Sequence, residues 1–169
     1  MLRKWFGVVV LSACVSTPRV EPSKPSFIAG LRGEWQGVLE YKDYQQPDRR
    51  VTLPTLLAAS GQGDDAVVLD FTFDDGPGKT VKSSEVLSLK GTQLQWGKTQ
   101  YTVLEQTPST LTVEAMGEDD NAPAVLHEVF TVSPQQLIIL KTVKPLKDGA
   151  FSFRHEYRLQ RVSAGAPGT

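Results

Sequence analysis

The chain has 169 residues, enough for one domain, with 22% charged and 40% hydrophobic residues and a formal net charge of −1. That balance excludes an intrinsically disordered chain and a dedicated nucleic-acid binder, which would carry a strongly basic face. One cysteine excludes an internal disulfide framework or a cysteine zinc site, and two histidines argue against a multi-histidine metal centre.

The first residues carry an address. Arg3 and Lys4 precede the apolar run Trp5 to Leu11, the layout of a secretory signal, and the run is too short to span a bilayer, which takes about 20 residues. Leu11-Ser12-Ala13-Cys14 follows and resembles the bacterial lipobox. The resemblance implies lipidation of Cys14, cleavage before it, and anchoring to the cell envelope. Val15 stands where an aspartate often retains such proteins in the inner membrane, so the resemblance implies the outer membrane, facing the periplasm. An ordinary signal peptide, or a buried first strand with an incidental cysteine, is the alternative. On this reading residues 1–13 are the signal peptide and residues 14–26 are the lipidated cysteine and a Pro- and Ser-rich tether. Residues 27–163 form the domain and residues 164–169 a disordered tail.

From Phe27 onward the period is two. Glu34 to Lys42 sets Trp35, Leu39 and Tyr41 on one face and charged or polar residues on the other. Arg50 to Ala58 repeats the pattern, with Pro54 predicting an edge, a bulge or a break. Ala66 to Phe73 brings Val67, Leu69, Phe71 and Phe73 into phase, and Asp74 to Gly78 is a turn. Thr80 to Leu89, Gln93 to Trp96, Thr99 to Glu105, Thr110 to Met116, Ala124 to Val132, Gln136 to Val143 and Ala150 to Val162 follow as strands. The best helical candidate is a short turn near Ser26 to Leu31. About ten strands joined in sequence by tight turns predict an all-β antiparallel meander that removes its edges by closing into a barrel.

Leu31 to Gly37 contains Gly33-x-Trp35, which resembles the first strand of the calycin superfamily, the lipocalins and related barrels. The resemblance implies a lipocalin-like barrel and a basic residue on the last strand packed against the tryptophan. Arg161 shares parity with Phe151, Phe153, Tyr157 and Leu159 and is the choice for that partner; Arg158 takes its place if a bulge shifts parity. An indole plugging one end and a guanidinium stacked on it, satisfying nearby carbonyls, would serve closure.

Candidate ligand-lining residues are Tyr41, Phe71, Phe73, Tyr101, Phe153, His155 and Tyr157, with a packed core as the alternative. His155 could bond a ligand or hold haem iron; an ordinary satisfied histidine is the favoured reading, and no cofactor is expected. The inside face of the strand carrying His127 is ambiguous. Glu118 to Asn121 reads as a solvated turn rather than a calcium loop, and no metal site is expected. No nucleophile elbow, phosphate loop or zinc-protease motif occurs, so no enzyme is expected. The expected partners are a small hydrophobic or amphipathic ligand and, through the lipid, the membrane. The alternative is a structural or interaction module of the envelope without a cavity, contacting an envelope protein.

Overall fold

The computed structural model describes residues 26–43, 45–46, 48–147 and 149–162. The expected signal peptide, Cys14, the expected tether up to Pro25 and the expected C-terminal tail lie outside the described residues. A short helix, α1 (Phe27–Leu31), precedes β1 (Gly33–Lys42), β2 (Arg50–Gly61), β3 (Ala66–Asp74), β4 (Thr80–Lys90) and β5 (Gln93–Trp96). The chain continues through β6 (Thr99–Gln106), β7 (Thr110–Asp119), β8 (Ala122–Val132), β9 (Gln136–Pro145) and β10 (Ser152–Arg161). Each strand pairs antiparallel with its neighbours in sequence, and β1 pairs with β10, so the ten strands close into a meander barrel.

The alternation read from the sequence fixes the faces. In β3, Val67, Leu69, Phe71 and Phe73 are buried while Asp70 and Asp74 are exposed. In β8, Ala124, Leu126, Glu128, Phe130 and Val132 are buried, which settles the parity of that strand: His127 faces outward, beside the Thr142 hydroxyl at 3.3 Å and the Phe151 ring. Pro54 does not break β2. It stands just before Thr55, where the pairing with β3 begins, so its missing N–H forfeits no bond on that side. The acidic stretch Glu118 to Asn121 is half strand and half turn. β7 and β8 pair as far as Asp119 and Ala122, and Asp120 and Asn121 (φ 50° and 60°) form a two-residue left-handed turn between them. Among the described residues no group of three or more His, Cys, Asp or Glu is placed to hold a metal ion.

One end of the barrel is plugged. A five-residue helix has too few internal bonds to persist alone. α1 is held because Phe27, Ile28 and Leu31 are buried under the strands and the Ser26 hydroxyl accepts a bond from the Ala29 amide at 3.1 Å. Phe27 meets Phe130 edge to face at 6.0 Å. Leu57, Leu69, Leu87, Leu94, Leu111, Leu137 and Leu159 fill this half of the interior.

The opposite half is different. β5 is only four residues long and pairs with β4 over Leu87–Lys90 alone. β6 pairs with β7 only as far as Thr102 and Glu114. The turn between β5 and β6 bonds β4 as far as Val86, through the Gly97 amide at 3.1 Å, so residues 80–85 of β4 and 115–119 of β7 flank a lateral gap. The rim itself is strapped: Arg154 of β10 pairs with Asp119 of β7 at 3.0 Å and donates to the Lys42 carbonyl of β1 at 2.8 Å. Arg154 is the extra residue of a bulge, because Phe153 pairs with Thr142 and His155 with Lys141.

Candidate functional site

The plugged end is locked by a single constellation. The Arg161 guanidinium lies 3.9 Å over the Trp35 ring. Its nitrogens donate to the carbonyls of Pro134 (2.7 Å), Arg32 (2.6 Å) and Gly30 (3.0 Å). Trp35 donates its indole N–H to the Leu31 carbonyl at 2.8 Å. Gly33 (φ 121°) lies against the same guanidinium, where a Cβ would overlap Nη1. Gly33, Trp35 and Arg161 thus tie α1 to both strands of the closing seam. Arg158 points away, outside the barrel, where it bonds Glu40 and Glu156.

The open half holds a cavity of about 670 Å³ that reaches the lateral gap. Its walls come from Ser84 to Val86 of β4, Trp96 to Thr99 and Tyr101 of the β5–β6 hairpin, Glu128, Lys141, His155 and Tyr157. Glu128 is only 1% exposed. Its Oε1 accepts from the Tyr101 hydroxyl at 2.6 Å and pairs with Lys141 Nζ at 3.2 Å. Burial pushes the Glu128 carboxyl up, against the opposing pull of Lys141 and Tyr101. Burial, with Glu128 beside it, also pushes the Tyr101 hydroxyl up, so it stays a proton donor. His155 is pushed down to about 3 by burial, with Lys141 and Arg154 adding to the shift, and is neutral at pH 7. Its ring meets Tyr157 edge to face at 5.4 Å.

Among the described residues four buried side-chain nitrogen or oxygen atoms have no protein partner, and three of them belong to residues lining this cavity: Trp96 Nε1, Glu128 Oε2 and His155 Nε2. A buried polar atom without a partner costs about 1–3 kcal/mol, so three at one site demand an explanation.

Of the residues singled out from the sequence, Tyr101, His155 and Tyr157 line the cavity. Phe71 and Phe73 stand behind it as packing: Phe71 lies 5.0 Å from the Tyr157 ring and stacks on Phe73 at 5.8 Å. Tyr41 pairs with His155 on β1 but does not line the cavity. Phe153 is not among the lining residues, because the bulge at Arg154 moves it out of phase and its ring lies 3.9 Å under the exposed Arg50 guanidinium. Sequence reasoning missed Glu85, Trp96, Glu128 and Lys141. The signal was present: Glu128 shares parity with Leu126 and Phe130, Lys141 with Ile139 and Val143, and Glu85 with Leu87 and Leu89. A charge in an apolar phase marks an interior that is not only core. A larger concavity of about 1070 Å³ lies against the outer face around Gln36, Pro54, Leu56 and the β3–β4 turn, away from these groups.

No family model matches the chain. Its backbone is similar to the crystal structure of a protein of unknown function from the DUF3598 family of Nostoc punctiforme, with a TM-score of 0.52 and 15% sequence identity. The match covers 80% of this chain and 49% of that one, so the chain spans about half the length of its structural neighbour. At that identity the likeness is one of fold: this chain and part of the cyanobacterial protein share a backbone arrangement.

Proposed function

We propose that the protein is a lipid-anchored binding protein of the bacterial envelope, whose barrel holds a small amphipathic ligand in the laterally open cavity. The reading is one of binding rather than turnover. The observation that carries it is the set of three partnerless buried polar atoms, Trp96 Nε1, Glu128 Oε2 and His155 Nε2, on the walls of one cavity. A module that worked only through its outer surface would gain nothing from keeping them there. The apolar part of the ligand has the Tyr157 and Trp96 rings to lie against. The envelope address rests on the sequence alone, on Arg3-Lys4, the apolar run and Leu11 to Cys14.

Two experiments test the two halves. Metabolic labelling of the full chain in a bacterial host with an alkyne-tagged fatty acid should mark the wild type and not Cys14→Ser; an unlabelled wild type removes the anchor. Native mass spectrometry of the chain from Val15 onward, purified gently from an envelope extract, should show an added small-molecule mass that leaves on denaturation. A clean apo mass, repeated after incubation with envelope lipids and haem, removes the ligand and turns attention to the outer face.

A further inference from the structure

We infer that the head group the cavity receives is uncharged and both gives and accepts a hydrogen bond, as a hydroxyl or a primary amide does. The inference rests on the binding reading above and narrows it to one ligand chemistry.

The formal charges lining the cavity cancel: Glu85 and Glu128 stand against Lys98 and Lys141. Lys141 is already committed to Glu128, which is 1% exposed, and Tyr101 donates to the same carboxylate oxygen. An incoming carboxylate or phosphate would therefore meet two carboxylates and no buried cation free to neutralise it. An incoming ammonium would add positive charge beside Lys141. Either ion would also lose its hydration without an adequate counter-charge, which is costly in a buried site.

The partnerless atoms specify the rest. As a carboxylate paired with Lys141, Glu128 can only accept at Oε2, and Trp96 Nε1 can only donate. A carboxylate cannot satisfy the first and an ammonium cannot satisfy the second. A hydroxyl or amide satisfies both, and His155 Nε2, on a neutral ring, can take either role. The lateral gap sets the direction of entry, because Arg154 straps the rim to Asp119 and Lys42 and α1 plugs the other end. The head goes in first, towards Glu128, and the tail lies in the gap between β4 and β7, beyond the β5–β6 turn.

The test uses four probes of equal chain length, 1-octanol, octanamide, octanoate and octylamine, titrated by calorimetry into the chain from Val15 onward, which contains every residue of the closed barrel. Octanol and octanamide should bind about tenfold or more tightly than either ion, the discrimination expected when a buried hydrogen-bonding group is left unpaired. Trp96→Phe keeps an aromatic ring beside Phe130, 5.3 Å from the present one, and removes the donor with part of the ring surface. It should weaken octanol and octanamide about fivefold more than octylamine, a difference that a general loss of structure or of ring surface would not give. Octanoate or octylamine binding best, or all four binding alike, overturns the head-group assignment while leaving a ligand cavity in place. No heat with any probe, repeated at a second temperature, overturns the cavity reading itself.

Discussion

Arg161 donates to carbonyls on two separate stretches of chain, Gly30 and Arg32 beside α1 and Pro134 before β9, while its plane covers Trp35. Only a planar fork can do all of this at once. Arg161→Ala should cost about 3 kcal/mol in urea unfolding, given that charge-assisted bonds contribute roughly 1.5–3 kcal/mol each and do not add fully. Arg161→Lys should recover less than half of that loss; full recovery would mean that charge alone matters. His155 gives a pH dependence. Its folded pKa, about 3, lies below the ordinary 6.5, so the unfolded chain binds the extra proton. Stability from this group is complete above pH 6.5 and is lost as pH falls towards 3, at up to about 1.4 kcal/mol per unit. Glu128, pushed up, works in the opposite sense, its contribution being lost as pH rises above 4.5. The difference between wild type and His155→Asn therefore isolates the histidine, and equal slopes between pH 6.5 and 4.5 would refute its neutral burial. At this scale the sequence is legible where parity is unbroken, as at Trp35 and Arg161. It misleads at Phe153, because one extra residue in β10 exchanges the faces and nothing in Phe151 to Tyr157 announces it.

Elements show where backbones come close. A Cβ on Gly37 of β1 would overlap the Arg158 carbonyl oxygen of β10, a main-chain atom that cannot step aside. A Cβ on Gly117 of β7 would meet the end of the Leu126 side chain instead, at 2.6 Å. Gly37→Ala should therefore destabilise by about 3 kcal/mol, the upper range for overpacking, and Gly117→Ala by about 1 kcal/mol. Thermal unfolding of the two variants compares them directly, and equal shifts would place the seam no tighter than the rest of the sheet. The strands themselves were readable as alternating runs with turn residues between them. The shortness of β5 was readable too, as Gln93 to Trp96 between Gly91 and Gly97. Its consequence was not, because a gap depends on how far β4 and β7 run past it, and that is set by register rather than by composition.

The whole molecule divides along its axis. The half beneath α1 is close-packed leucine and aromatic core, and its closure could be anticipated from strand count and alternation, since a meander of this length leaves two edges that must be hidden. The other half carries Glu85, Glu128, Lys141 and His155 inside, charges that the aromatic candidates of the sequence do not account for. Lys141→Met tests the division. Leaving Glu128 buried without its cation should cost about 3–5 kcal/mol, whereas the double variant Glu128→Gln with Lys141→Met should regain most of it. A single variant as stable as wild type would mean that water, rather than Lys141, balances the carboxylate.

The seam between β1 and β10, where Trp35 faces Arg161, has a topological consequence. A ring of strands joined only to their neighbours has no intrinsic first strand, and here both ends of the described chain leave from the plugged end. A linker of about eight glycine and serine residues, with a reach of roughly 16 Å, could join Val162 to Ser26. New termini could then open at Asp120-Asn121, on the strapped rim. Such a circular permutant keeps every strand pairing and the whole lining of the cavity. In it the start of the gene and the start of the barrel become independent choices.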